Sequence, residues 1–190
     1  MHAKRCHNCL RTVMAMGVMA LALSMGGPAQ GQTTSVGPYY ATPSWDQTLP
    51  SATRFIVLSN FNSQAVLDRN TGLVWERSPQ TTTEVWNASR RTCANRIVGD
   101  QKGWRLPSFT ELSSLVDPTV PVPGPTLPPG HPFLNVQAFG ALAYWSASSS
   151  AVTPERAWMV RFSDGLVDTG EKSGLAYVWC VRGGAYADAY

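Results

Sequence analysis

The residues best equipped for chemistry are the cysteines, and their spacing divides the four of them into two pairs. Cys6 and Cys9 form a Cys-x-x-Cys, the spacing of redox and zinc sites. No second pair accompanies them and they stand in a basic leader, so the motif is accidental. Cys93 falls in a helix-like stretch, residues 84–97, and Cys180 in an apolar run, residues 176–181. A bridge between them would tie a helix to the last strand and close a loop of about 87 residues, stabilising the fold by about 4–5 kcal/mol in the chain-entropy model. It would also require an oxidising compartment. Two buried thiols that never meet are the competing reading, and the placement favours the bridge.

Catalytic sets are hard to assemble. Beyond the leader the one histidine is His131, inside a proline-rich loop. No Ser-His-Asp or Cys-His arrangement forms unless it swings into a site. Paired cysteines would leave no thiolate nucleophile. A glycosidase needs only two carboxylates, yet nothing in the sequence places two together. Asp164 and Asp168 are candidate cation ligands, but Ser163-Asp164-Gly165 is ordinary hairpin chemistry. No metal, no cofactor and no enzymatic activity are expected. Arg105 and Glu111 are a candidate ligand pair, better explained as an internal ion pair at a helix start.

Residues 1–31 have the form of a signal peptide: Lys4, Arg5 and Arg11 without an acid, an uncharged run over 13–25, then small residues at Ala29-Gln30-Gly31. An uncleaved anchor is the rival reading. The expected location is therefore exported: periplasmic, outer-surface or secreted, with no integral membrane segment after cleavage. Of the 15 basic residues three belong to the leader, leaving 12 against 12 acidic ones. This balance gives no basis for nucleic-acid binding. Beyond the leader Lys102 and Lys172 are the only lysines. Arginine suits sulfate or carboxylate recognition, but internal salt bridges are the favoured explanation.

The elements that must position these residues form one domain over 54–184, after a linker at 32–53 and before a tail at 185–190. Short apolar runs at 55–58, 65–68 and 73–76, separated by Asn- and Gly-bearing turns, make a three-stranded meander. Thr81-x-x-Glu84 and Ser108-x-x-Glu111 are candidate capping boxes for two helices, the first over 84–97 and the second stopped by Pro118. Residues 118–132 contain seven prolines in fifteen positions, which predicts a stiff, exposed loop. Strands resume at 144–148 and 158–162, with a last strand in which Tyr177, Trp179 and Val181 alternate. Trp75, Trp104, Trp145 and Trp179 are expected in the core. The fold class is α+β, with an antiparallel sheet, two helices and long loops.

Several segments come in a telling order: Asp68-Arg-Asn-Thr-Gly-Leu-Val-Trp75, Gly103-Trp-Arg-Leu-Pro-Ser108 with Glu111-Leu112, Tyr144-Trp-Ser146, Ala157-Trp158 with Phe162-Ser-Asp-Gly165, and Cys180-Val-Arg182. Over residues 54–184 the set resembles the bacterial domain at the C-terminus of the Legionella collagen-like adhesin. That family is similar in architecture to C-type lectin-like domains, in which a helix cysteine pairs with one in the final strand. The resemblance implies the same pairing for Cys93 and Cys180. It further implies an extracellular binding or adhesion module, in the best-known relative for sulfated polysaccharide. Two departures qualify this. There is no collagen-like Gly-x-y stalk, and no Trp-Asn-Asp strand of the calcium-dependent sugar binders. The expected ligand is a polysaccharide or a protein, and the alternative role is a structural envelope component docked on a protein partner. Recognition residues favour loops on a rigid scaffold. Arg156 and His131, the basic groups of loops 151–156 and 118–132, are the candidate ligand-binding residues, with Arg90 and Arg91 as substitutes.

Overall fold

The computed structural model describes residues 49–140 and 142–184. The leader, residues 32–48 of the expected linker, and the tail lie outside the described residues. The rest of that linker ends in a helical turn, α1 (Ser51–Arg54), which leads directly into β1 (Phe55–Val57).

The first three strands form from local rules. β1, β2 (Ala65–Asp68) and β3 (Leu73–Glu76) are an antiparallel meander, and the structure places the latter two over the expected residues. Asn62 and Ser63 take left-handed φ of 51° and 57° in the first turn, and Gly72 takes 71° in the second. Asp68 shapes that second turn: its Oδ1 accepts from Asn70 N at 3.0 Å, and its backbone oxygen from Gly72 N at 2.8 Å.

The α+β class holds, with two sheets rather than one. β1, β2 and β3 are joined by β9 (Val181–Arg182) in a sheet of order β1-β2-β3-β9. The second sheet has the order β4-β8-β5-β6-β7, from β4 (Thr83–Glu84), β5 (Tyr144–Ser149), β6 (Arg156–Val160), β7 (Val167–Glu171) and β8 (Ala176–Tyr177). All pairings are antiparallel except β5 with β8. The expected single last strand is thus divided: its first half belongs to one sheet and its second half to the other. Val178, Trp179 and Cys180 between them are all buried, so the alternation ends where the segment crosses between layers.

Both helices are shorter than their patterns suggest. α2 is Trp86–Ala94, and Val85 precedes it without a side-chain cap. The Thr81-x-x-Glu84 box does not form, because Thr83 and Glu84 are drawn into β4 and pair with Tyr177 and Ala176 of β8. Glu84 instead accepts from Gln80 Nε2 and from Thr92 Oγ1, each at 2.8 Å. Ile97 lies beyond the helix and is exposed. α3 (Phe109–Ser113) does begin with the expected box: Glu111 N donates to Ser108 Oγ at 3.1 Å, and Ser108 N to Glu111 Oε2 at 2.8 Å. The proline loop is also only partly as expected. Thr126, Leu127 and Pro128 are buried. Asp117 N donates to Thr126 O at 2.7 Å, and Thr126 N to Phe162 O at 2.8 Å, which pins the loop onto the core.

Tryptophan organises the interior. Trp179 is surrounded by Trp75, Phe133, Phe162 and Tyr144, with ring centroids 5.0–5.6 Å away. A second cluster holds Trp86, Trp104, Trp145 and both cysteines. Four indole N–H groups donate to backbone oxygens and so lace separate elements together: Trp86 to Ser146, Trp145 to Glu84, Trp179 to Glu76 and Trp104 to Gln101, at 2.7–2.9 Å. All four tryptophans assigned to the core from the sequence are buried there. Among the described residues no helix is long and apolar enough to cross a membrane.

One close approach has a large expected effect. Gly99 has φ 54°, and a Cβ on it would stand 2.3–2.4 Å from backbone atoms of Phe61. Gly99→Ala must move the Ser59–Phe61 turn, and we expect a loss of about 2–3 kcal/mol in denaturant unfolding. Gly72→Ala, also at positive φ but facing open space, should lose only about 1 kcal/mol. Equal losses would show that the approach to Phe61 carries no penalty.

Candidate functional site

A recess with charged walls lies at the end of β3. It is a cleft of about 300 Å³ whose walls include Glu76, Arg77, Arg96, Ile97 and Leu134. Glu76, the last residue of β3, turns its carboxylate inward and is only 2% exposed. Its Oε2 accepts from Cys180 N at 2.9 Å, while Oε1 accepts from Arg96 Nε. Burial pushes the Glu76 carboxyl above the usual range; Arg96 and the Cys180 N–H pull the other way without cancelling it.

Arg96 owes its place to the disulfide. Cys93, in the last turn of α2, is bonded to Cys180 with Cα atoms 5.4 Å apart. Arg96 N then donates to Cys93 O at 3.0 Å, so the guanidinium leaves the end of an anchored helix. Arg77 is held otherwise: Nε donates to Pro132 O at 3.2 Å and Nη1 to Ser63 O at 3.3 Å. Leu134 N donates to Arg77 O at 2.7 Å, which fixes the segment forming the far wall. Both terminal nitrogens of Arg96, and Nη2 of Arg77, make no hydrogen bond among the described residues. Ile97 and Leu134 are exposed at 56% and 47%. The cleft thus offers unengaged guanidinium donors beside apolar surface, a combination suited to a planar anionic group attached to a partly apolar body.

The structure does not bring Arg156 and His131 together. Arg156 opens β6 and grips β7: Nε donates to Thr169 Oγ1 at 3.1 Å, Nη2 to Thr169 O, and Nη1 to Glu171 Oε1 at 3.3 Å. His131 is half-buried beside Phe133, with ring centroids 5.8 Å apart, and its Nδ1 is buried without a partner. Burial lowers its pKa, so the imidazole is neutral at physiological pH. Arg90 lies over one side of the Trp86 indole at 4.9 Å, with Lys172 also against that ring at 4.3 Å.

Arg105 and Glu111 form the internal pair expected of them, bidentate at 2.7 and 2.8 Å, and Arg105 also donates to Gly183 O at 2.6 Å. Burial raises the Glu111 carboxyl, but Arg105 and the Ser108 N–H outweigh it and leave the pKa below the usual range. Asp164 is taken by Arg161, whose Nε donates to Oδ1 at 2.8 Å. Among the described residues no group of three or more His, Cys, Asp or Glu side chains converges as a metal site.

Sequence reasoning missed Glu76, Arg77 and Arg96. Trp75-Glu76-Arg77 looks like an ordinary strand end, and the groups that engage the Glu76 carboxylate lie 20 and 104 residues away. The available signal was Arg96 three residues after Cys93, at the end of a helix a bridge would fix. The sequence model of the family Lcl C-terminal domain matches residues 64–182, a span running from β2 to β9. No curated protein matches the chain. A match over more than half of the chain, containing every strand but β1 together with the bridged cysteines, assigns this chain to the Lcl C-terminal domain family.

Proposed function

We propose that this protein is an exported binding or adhesion module whose cleft between Arg77 and Arg96 takes an acidic group of a polysaccharide. The observation that carries the reading is the set of unengaged guanidinium nitrogens on one recess, flanked by exposed Ile97 and Leu134. A sulfate or uronate meets Arg96 through charge-assisted hydrogen bonds, and the sugar's C–H faces lie on the apolar rim. Family membership and a disulfide that needs an oxidising compartment support the extracytoplasmic half of the proposal. A bridge joining a helix to the segment before the last strand also supports a C-type lectin-like assignment for the fold. This role involves no reaction.

An array of sulfated, uronate-bearing and neutral polysaccharides tests the proposal. Hits should be confined to the acidic members and weaken with salt. Arg96→Ala should reduce affinity about tenfold through loss of a charge-assisted contact. Arg156→Ala and His131→Ala should bind as wild type, because Arg156 is committed to β7 and His131 is neutral. An array without hits, together with constant co-purification of one protein, would instead identify a structural envelope component.

A further inference from the structure

The ion pair at the floor of the cleft is asymmetric. The Glu76 side chain is 3% exposed and that of Arg96 33%, so the carboxylate is fixed in the protein while the guanidinium reaches toward solvent. An anion entering the cleft meets an arginine whose charge is already neutralised from below. Resting on the reading of this recess as an anion site, we propose that Glu76 is an internal competitor for Arg96, so that the cleft holds a sulfate or carboxylate group more tightly once acid protonates Glu76.

The chemistry follows from the charges on the walls. With Glu76 ionised, Arg77, Arg96 and Glu76 sum to one positive charge. With Glu76 protonated they sum to two, and Arg96 Nε becomes available to the ligand. The protonated carboxyl can still accept from Cys180 N, so the bond that ties β3 to the bridged cysteine need not break. Anion binding and proton uptake by Glu76 are then reciprocally linked: each favours the other by the same factor.

Few other groups are placed to produce such a dependence. β2 presents Ala65 opposite Glu76, and its Asp68 at the far end pairs with Arg54. Residues 178–181 present backbone and the disulfide, while Arg182 of β9 donates to Gln101. On α2, Arg90 is committed to Trp86 and Arg91 is exposed. Beyond the helix, Asp100 accepts from Asn62. On the far wall His131 stands beside Pro132, whose carbonyl holds Arg77, and burial keeps it neutral through the upper part of the range. The upward displacement of the Glu76 titration by burial brings the event closer to mildly acidic conditions.

Dextran sulfate is a suitable probe because its sulfate half-esters stay ionised throughout, leaving any pH dependence to the protein. At constant ionic strength, wild-type affinity should rise about tenfold from about pH 7.5 to about pH 5. Glu76→Gln should bind at about pH 7.5 at least as tightly as wild type does at about pH 5, with no further slope. Arg96→Gln should bind weakly with no slope, and His131→Gln should keep the wild-type slope. A slope that survives in Glu76→Gln, or a flat wild-type profile, overturns the competitor role. If Glu76→Gln does not fold, a slope in the surface variant Arg96→Gln equal to that of wild type overturns it instead. Arg96-dependent binding with a flat profile leaves the anion site standing and removes only the competition. Failure of wild type to bind dextran sulfate at either pH overturns both.

Discussion

Asp68→Ala should lower the unfolding free energy by about 3–5 kcal/mol, because it leaves Arg54 as an uncompensated charge in the interior. Arg54 is 5% exposed and Asp68 fully buried. Nε and Nη2 of Arg54 donate to Oδ1 and Oδ2 at 2.8 Å each, and Nη2 also donates to Ser114 O at 2.8 Å. This pair joins the end of α1, the end of β2 and the residue following α3. Arg54 also lies 4.7 Å from the centre of the Phe55 ring, which cannot replace a carboxylate. Removing both charges at once should behave differently: Arg54→Met with Asp68→Leu should recover most of the loss, since apolar replacements of a buried ion pair are often neutral. Urea unfolding of the two variants beside wild type decides the matter. A loss under about 1 kcal/mol for Asp68→Ala would mean that water or a shifted neighbour solvates Arg54.

The second large effect belongs to the disulfide. Cys93 and Cys180 are 87 residues apart in sequence, and opening so long a loop should remove about 4–5 kcal/mol in the chain-entropy model. Both cysteines are buried among Trp86, Trp104, Trp145 and Val178. Cys93→Ala with Cys180→Ala avoids two unpaired thiols and reports the loss of the link itself. The intact mass of untreated protein should rise by two hydrogens on reduction. Two free thiols titrated before any reductant would contradict the bridge. The same double variant should also weaken acidic-polysaccharide binding, because Arg96 leaves a helix end that the bridge holds.

What could be read from the sequence was what depends on near neighbours. The box at Ser108 and Glu111, the turns at Asn62 and Gly72, and the meander they connect are each decided within a few residues. The internal salt bridges expected of the arginines are present: all five ion pairs among the described residues use arginine. Thr81-x-x-Glu84 carries the same signature as the Ser108 box and failed, because β8, some ninety residues later, offers Thr83 a strand partner. β7 escaped notice since Val167-Asp-Thr-Gly-Glu171 has little apolar alternation; its pairing with β6 over five residues defines it. The cleft was least legible of all. Glu76 is neither apolar nor part of a motif, and its importance arises from Cys180 N above it and Arg96 beside it.

The division of residues 176–182 between two sheets has a consequence for the order in which the molecule can be made. Ala176–Tyr177 completes one sheet, Val181–Arg182 completes the other, and Trp179 between them fills the centre of the core. On the ribosome the three-stranded meander is available early, but its fourth strand arrives only after Val181 emerges to meet Trp75. Such distant pairings fold slowly. A nascent domain of this topology therefore stays open until residues 176–182 have been made. Closure waits for one seven-residue segment, which delivers both sheet partners and the second cysteine together.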